Sequence, residues 1–412
     1  MSKQPYVPPQ KILDRYADVL VNFALNGGKG VKKGEVVRLT GGEVTKPLFL
    51  AVQSKILEAG AHVMSNYLPD DDEKYSPSRD YYLKADGHQI DFFPTKYMKG
   101  LIDTMDHSIY LIAETNKEAL KGIDPKKIMR RGLAMKQFMD WRRDKENRGK
   151  FTWTLALYGT SQMAATVGMS EKAYWNQIIK ACFLDEKNPV KKWKEITDGL
   201  ENHRKKISKV TEKTEKFHVE GPDVDLWITP GEKRKWLSGR GANIPSFEVF
   251  TSPDWRGTEG WIRFNQPLYR YGNVLEGIEL WFKNGKVVKS KATKGEKLLK
   301  EMIKTENADK VGEFSLTDKR FSRITKPMAE TLYDENMGGP QGNTHIALGM
   351  SYHDTYTGDI TKLSNKKFAD KLGYNDSTVH TDIISTTRRK VTAHLKDGKT
   401  RVVYDNGQFL LD

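Results

Sequence analysis

Six side chains in the second half of the chain are of types that hold a divalent metal: Glu248 in FEVFTSP, Glu313 in VGEFSL, His345 and Tyr352 in NTHIALGMSYHD, and His380 and Asp382 in STVHTDII. Imidazole and carboxylate suit zinc, cobalt or manganese. A phenol, with its ordinary pKa of about 10, binds as phenolate only beside strong positive charge. His380 and Asp382 stand two apart, so an extended chain turns both to one face, whereas a helix would splay them by about 200°. His345 and Tyr352 are seven apart, which puts them on opposite faces of a straight strand, and Gly349 between them offers a bend. His353 follows Tyr352 directly and so points away, and with His394 it is left outside the set. Each residue also has a purely structural reading. Glu248 between Phe247 and Val249 would face solvent, Glu313 after Gly312 would sit in a turn, Tyr352 would pack in a core, and a strand-end histidine would be hydrogen-bonded scaffolding. The single cysteine, Cys182, excludes thiolate metal sites and internal disulfides and fits a reducing, cytoplasmic setting.

The elements that must position these residues divide into two textures. LDRYADVLVNFAL has helical apolar spacing, EVVRLTG reads as a strand, TKPLFLAVQSKILEAGA as an amphipathic helix closed by Gly60, and HVMSNYLP, HSIYLIAE and KFTWTLALYGT as further strands, with the helical PTKYMKGLIDTM between two of them. Strands separated by such helices imply an α/β N-terminal domain with a largely parallel sheet. Ser170 to Lys216 is helical and highly charged, which reads as a solvated face with His203 and His218 at the surface. DVDLWITP resumes strand character and GEKRKWLSGRGANIP reads as a connection. From about Ile244 short strands dominate, with hairpin signals at FKNGKVV and LKDGKTR and one helix at KGEKLLKEMIKT. The expected division is an α/β domain over residues 1–238 and a strand-rich α+β catalytic domain over residues 239–412. No P-loop or dinucleotide fingerprint follows a strand, since GGKG precedes its strand.

The chain has 412 residues, enough for two or three cores. Its formal charge of +14 admits an anionic partner. The basic residues are spread along the chain, however, without zinc-finger spacing or an aromatic RNA-binding signature, so nucleic acid is not the expected partner. No apolar run approaches the roughly 20 residues that cross a bilayer, and MSKQPYVPPQKILDRYADVL lacks a secretory pattern.

Taken together and in order, NIPSFEVFTSP, VGEFSL, TLYDEN followed by NTHIALGMSY, and NDSTVHTDII resemble the M29 family of metallo-aminopeptidases. LDRYADVLVNFALNGGKGVKKGEVVRLTG and DVDLWITP are similar to the family's opening helix, first strand and a later strand. The resemblance implies that Glu248, Glu313, His345, Tyr352, His380 and Asp382 bind two divalent ions, with zinc, cobalt or manganese as the metal. It implies hydrolysis of N-terminal amino acids from peptides with broad preference, by a homodimer whose N-terminal domains help enclose the site. Glu248 and Glu313 are then the catalytic glutamates, with Glu248 expected to bridge the ions and Glu313 to act as ligand or base. Asp334 and Glu335 in LYDEN are candidates for contact with the substrate's free α-amino group, against the reading of a turn or cap. The glycine-rich MGGPQGNT is longer than the connection expected there, and Ser246-Phe247 replaces a more acidic or glycine-containing pair. The competing readings are a non-peptidase metal-binding protein with an anionic partner and a different metallohydrolase.

Overall fold

The computed structural model describes residues 5–72, 74–239 and 241–411. In the first half, four parallel strands form the centre of a sheet: β1 (Val36–Gly42), β2 (His62–Leu68), β3 (His107–Ile112) and β4 (Thr152–Leu157), in the order β2-β1-β3-β4. The expected helices lie between them. Gln10–Asn22 and Lys46–Glu58 bury Leu13, Tyr16, Leu20, Leu48, Val52 and Ile56 against Val37, Leu39, Ile109 and Leu111 of the sheet. On another side Leu101, Ile102 and Met105 of the third helical segment pack with Phe151, Phe138 and Trp141. Crossover helices of this kind are what a parallel sheet requires.

The second half is antiparallel. One sheet of eight strands runs, edge to edge, through 286–291, 279–283, 254–263, 224–229, 214–221, 390–395, 400–405 and 408–409. A second contains β5 (Glu248–Thr251), β6 (Val311–Thr317), β7 (Asn343–Gly349) and β8 (His380–Ser385), in the order β8-β7-β6-β5, with Leu237–Ser238 at the far edge. The inner faces of the two sheets share one apolar core, with Phe217, Val219, Leu226 and Leu280 from the first meeting Val249, Phe314, Leu316, Ile346, Leu348 and Ile383 from the second. Both hairpin signals hold. Asn284 and Gly285 take positive φ between paired strands, and Gly398 closes the second turn with φ +83°.

The sheets do not divide at residue 238. Strands 214–221 and 224–229 hydrogen-bond to C-terminal strands, while Asn243–Ile244 adds in parallel to β4. The chain therefore crosses between the two halves more than once. The helix Pro189–Glu212 ties them further: Trp193 lies in the N-terminal core among Phe23, Phe183 and Phe247, and Leu200 and Ile207 lie in the C-terminal core. It is thus more than a solvated face, because its apolar residues recur at helical spacing inside the charged stretch. His203 is half-buried against Phe321, and His218 is stacked on Trp227 at 4.0 Å. No helix among the described residues is long and apolar enough to cross a membrane.

Candidate metal centre

Register explains how five of the six distant residues meet. In an antiparallel ladder directly opposed residues share a face, and so do residues two apart along a strand. Glu313 on β6 and Asp382 on β8 both stand opposite Ala347 of β7, His345 stands opposite Ser315 of β6, and Glu248 of β5 stands opposite Thr317. Glu248, Glu313, His345, His380 and Asp382 therefore project from one face of one sheet. The other face carries Phe314, Leu316, Ile346, Leu348 and Ile383 into the core. Ala347, in the row between Glu313 and Asp382, is buried and has only a methyl group.

The ligand atoms of Glu248, Glu313 and His345 lie within 4.8 Å of one another, as do those of Glu313, His380 and Asp382, and those of Glu335, His345 and Asp382. His345 Nε2 is 3.3 Å from Glu248 Oε2 and 3.4 Å from Glu313 Oε1. His380 Nε2 is 3.4 Å from Glu313 Oε2 and 3.4 Å from Asp382 Oδ1. Glu313 thus presents one oxygen to each histidine. Both ring nitrogens of His345 are buried without a hydrogen-bond partner among the described residues. An imidazole left in that state, facing carboxylates, is suited to a cation.

Neighbouring groups aim these ligands. His380 Nδ1 lies 2.8 Å from the carbonyl oxygen of Met350, and since a carbonyl only accepts, Nδ1 carries the proton and Nε2 is the free donor. Ser315 Oγ donates to Glu248 Oε2 at 2.9 Å. Arg270 Nη2 donates to the His380 carbonyl oxygen at 2.9 Å. The bend expected at Gly349 is present, with φ +105°, and it lets the chain turn so that the Tyr352 ring meets His380 at 4.8 Å. Tyr352 is held from its other side by Phe250 and by a bond from its own N–H to Ser252 Oγ of 2.8 Å.

The electrostatics reflect a crowd of buried anions. Burial works to lower the pKa of His380, yet Asp382 and Glu313 outweigh it and push it up to about 10. Burial likewise opposes the protonated form of His345, but Glu248 and Glu313 hold its pKa well above the ordinary value. Burial, then Glu313 and Asp382, push the Tyr352 phenol up. Burial raises Glu248, and burial with Asp382 and Glu248 raises Glu335 well above the carboxylate range. Protons on the imidazoles here stand where divalent charge would otherwise balance the carboxylates, and the donor set of carboxylate, imidazole and phenol fits zinc, cobalt or manganese.

The residues left outside the set also find their places. His353 lies 3.0 Å through Nδ1 from Asn147 Nδ2, and burial lowers its pKa to about 3. His394 lies beside Trp227 on the eight-stranded sheet. Asp334 is a structural carboxylate, accepting from Met328 N–H at 2.6 Å and Glu330 N–H at 3.2 Å, whereas the adjoining Glu335 reaches the centre. Ser315 and Ala347 carry no signal as residue types, but each is two positions from a ligand on the same strand, which is the signal that finds them. Within MGGPQGNT, Gly342 allows the close approach of Tyr404 and Gly407, and Asn343–Thr344 lead into the strand that carries His345.

Residues 9–409 match the family described as thermophilic metalloprotease (M29). Aminopeptidase AmpS of Bacillus subtilis is 28% identical, over 96% of this chain and 98% of that protein. Aminopeptidase PepS of Streptococcus thermophilus is 27% identical, over 97% of this chain and 98% of that one. The solved structure of wild-type AmpT from Thermus thermophilus has the same fold, with a TM-score of 0.79 at 23% identity over 97% of this chain and 99% of that chain.

Proposed function

The chain belongs to the M29 family of thermophilic metalloproteases, and from that premise we propose that it is an aminopeptidase that removes N-terminal amino acids from peptides with broad preference, using two divalent ions. The observation that carries the two-ion reading is that Glu313 belongs to two ligand sets, one with Glu248 and His345 and the other with His380 and Asp382. Glu248, Glu313, His345, Tyr352, His380 and Asp382 are the proposed ligands, and zinc, cobalt or manganese the metal. Two such ions, when bound, polarise the scissile carbonyl and acidify water.

The chain's own residues supply the rest. Glu313 is the proposed bridge, because its two oxygens face different histidines. This departs from the sequence expectation that Glu248 bridges. Glu248, with Oε2 fixed by Ser315, is then the proposed proton carrier between water and the leaving amine. Asp382, His380 and His345 would complete the ligand set.

Residues 1–238 are proposed to help enclose the centre, supported by contacts of the helix Lys136–Asn147 with the C-terminal half. Arg143 pairs with Asp376 at 3.0 Å, and Asn147 holds His353. A homodimer is part of the same proposal, and sedimentation at working concentration tests it.

The test of the function is metal analysis of purified protein together with hydrolysis of unblocked and N-acetylated peptides. The expected result is bound divalent metal, loss of activity on chelation, and cleavage of unblocked peptides alone. Activity that survives chelation, or equal cleavage of acetylated peptides, overturns the reading.

A further inference from the structure

The eight-stranded sheet has one face in the core and the other in water. Phe217, Leu226, Ile262 and Leu280 point inward, so by alternation His218, Trp227, Trp261 and Trp281 point outward, and each of these is only partly buried. Register lines them up. Trp281 stands directly opposite Trp261, Trp227 stands opposite Glu259 and hence diagonally beside Trp261, and His218 stands opposite Trp227 with the two rings stacked at 4.0 Å. The rings form a diagonal stripe across four neighbouring strands, about 14 Å long at about 4.8 Å per strand. The acids of this face are engaged. Glu220 pairs with Lys390 at 2.9 Å, Asp225 with His218 at 2.7 Å and Glu279 with Arg263 at 2.7 Å, and Glu259 Oε1 accepts from Asn284 N–H at 2.6 Å. The exposed lysines at the Trp281 end are not. Lys289 and Lys291 hold Nζ 4.5 and 5.8 Å from the Trp281 ring centroid. Lys283 and Lys286 stand directly opposite each other, an arrangement of like charges that costs stability unless an anion lies nearby. Among the described residues no carboxylate pairs with any of these lysines. Half-exposed rings beside unpaired ammonium groups suit a polyanion that carries planar rings of its own. These tryptophans and lysines lie far apart in the sequence, and strand pairing gathers them, so no local signature marks them in the chain.

We propose that the outer face of the eight-stranded sheet binds single-stranded nucleic acid, with bases stacking on Trp281, Trp261 and Trp227 and phosphates meeting Lys283, Lys286, Lys289 and Lys291. The site gives part of the formal charge of +14 a task. It is independent of the peptidase reading, since the metal ligands lie on and beside the second sheet. Single strands fit because their unstacked bases are free to lie on indole rings, whereas in a duplex the bases stack on one another. An anionic polysaccharide has the charge without the planar bases.

The experiment measures fluorescence anisotropy of a labelled oligouridylate of about 20 nucleotides, longer than an ordinary single-strand site, against the full chain over a series of salt concentrations. The wild type is expected to bind saturably, with the logarithm of affinity falling against that of salt at a slope of about −3, from about 0.7 for each of the four lysines. Trp261→Ala should weaken binding by about 5- to 150-fold, the range of one lost stacking contact, and Trp261→Phe should keep most of it. Replacing Lys289 and Lys291 together by alanine should make the slope shallower by about 1.4. Both lysines are exposed, so this variant carries the test if Trp261→Ala does not fold. Hydrolysis of a short peptide should be the same in every variant. No binding by the wild type at low salt overturns the proposal, and so does a Trp261→Ala chain that binds like the wild type. Equal competition by an abasic sugar-phosphate oligomer of the same length, or by a heparin fragment of the same charge, overturns it as well, because the face would then read charge alone.

Discussion

His380 Nδ1 and the carbonyl oxygen of Met350 lie 2.8 Å apart, and this contact decides that Nε2 of His380 faces the carboxylates. Met350 is carried there by Gly349, whose φ of +105° belongs to glycine. A Cβ at Gly349 would lie 1.9 Å from the Val379 carbonyl oxygen, a backbone atom that cannot move aside cheaply. Gly349→Ala is therefore expected to destabilise the chain by about 3 kcal/mol, from strain and overpacking together. It should also weaken metal binding, because the His380 and Tyr352 rings both depend on this turn. Urea unfolding and metal titration of the variant measure the two effects. A variant as stable as the wild type refutes the account of the turn.

Ala347 occupies the row between Glu313 and Asp382. Ala347→Leu would put a larger side chain on the ligand face, where the ions are proposed to sit, and not in the apolar core behind the sheet. Metal affinity is expected to fall at least tenfold while the metal-free chain keeps its unfolding midpoint within a few degrees. Calorimetric titration and thermal unfolding check this, and unchanged affinity would place the ions elsewhere.

Metal should also be a strong stabiliser. The carboxylates are buried together and repel, so an ion that binds only the native chain adds stability by mass action, about 4 kcal/mol at a thousand times its Kd. The metal-free chain is still expected to fold, since the opposite face of the same strands packs independently against the eight-stranded sheet. Scanning calorimetry over a series of zinc or cobalt concentrations should show Tm rising with concentration. A Tm indifferent to divalent ions would be inconsistent with a buried centre.

Most of the site was legible because strand alternation is a local property. His380 and Asp382 two apart, and Gly349 between His345 and Tyr352, carry their geometry in the sequence. What lies between strands is not local. Nothing in the chain before Glu248 says that Asn243, in the short strand added to the parallel sheet, meets Glu335, and nothing in VGEFSL says that Glu313 splits its oxygens between two histidines. The same holds for the fold. The parallel and antiparallel halves follow from the alternation of helices and hairpins. That strands 214–221 and 224–229 cross into the second half depends on pairing with residues 390–395 and 254–263, far along the chain. Trp193, Leu200 and Ile207 lay inside a run of lysines and glutamates, and charge density masked the buried stripe.

Glu330 offers a pH test away from the ligands. It caps the helix Thr331–Asp334 through Oε2, which accepts from Leu332 N–H at 2.8 Å. Burial pushes its pKa up to about 7, with Lys117 opposing and Glu114 and Asp334 reinforcing the rise. An unfolded glutamate titrates near 4.5. Between those two values the native chain holds a proton that the unfolded chain has released, so this group's contribution is intact below about pH 4.5 and is lost as pH rises through about 7. Glu330→Gln keeps an acceptor for the Leu332 N–H and removes the titration. The variant and the wild type should be about equally stable at pH 4.5. At pH 9 the variant should be the more stable by roughly 3 kcal/mol, the value of the shift at about 1.4 kcal/mol per unit. Denaturant unfolding of both proteins at the two pH values checks it, and a stability difference that does not grow with pH would show that Glu330 ionises freely in the native chain.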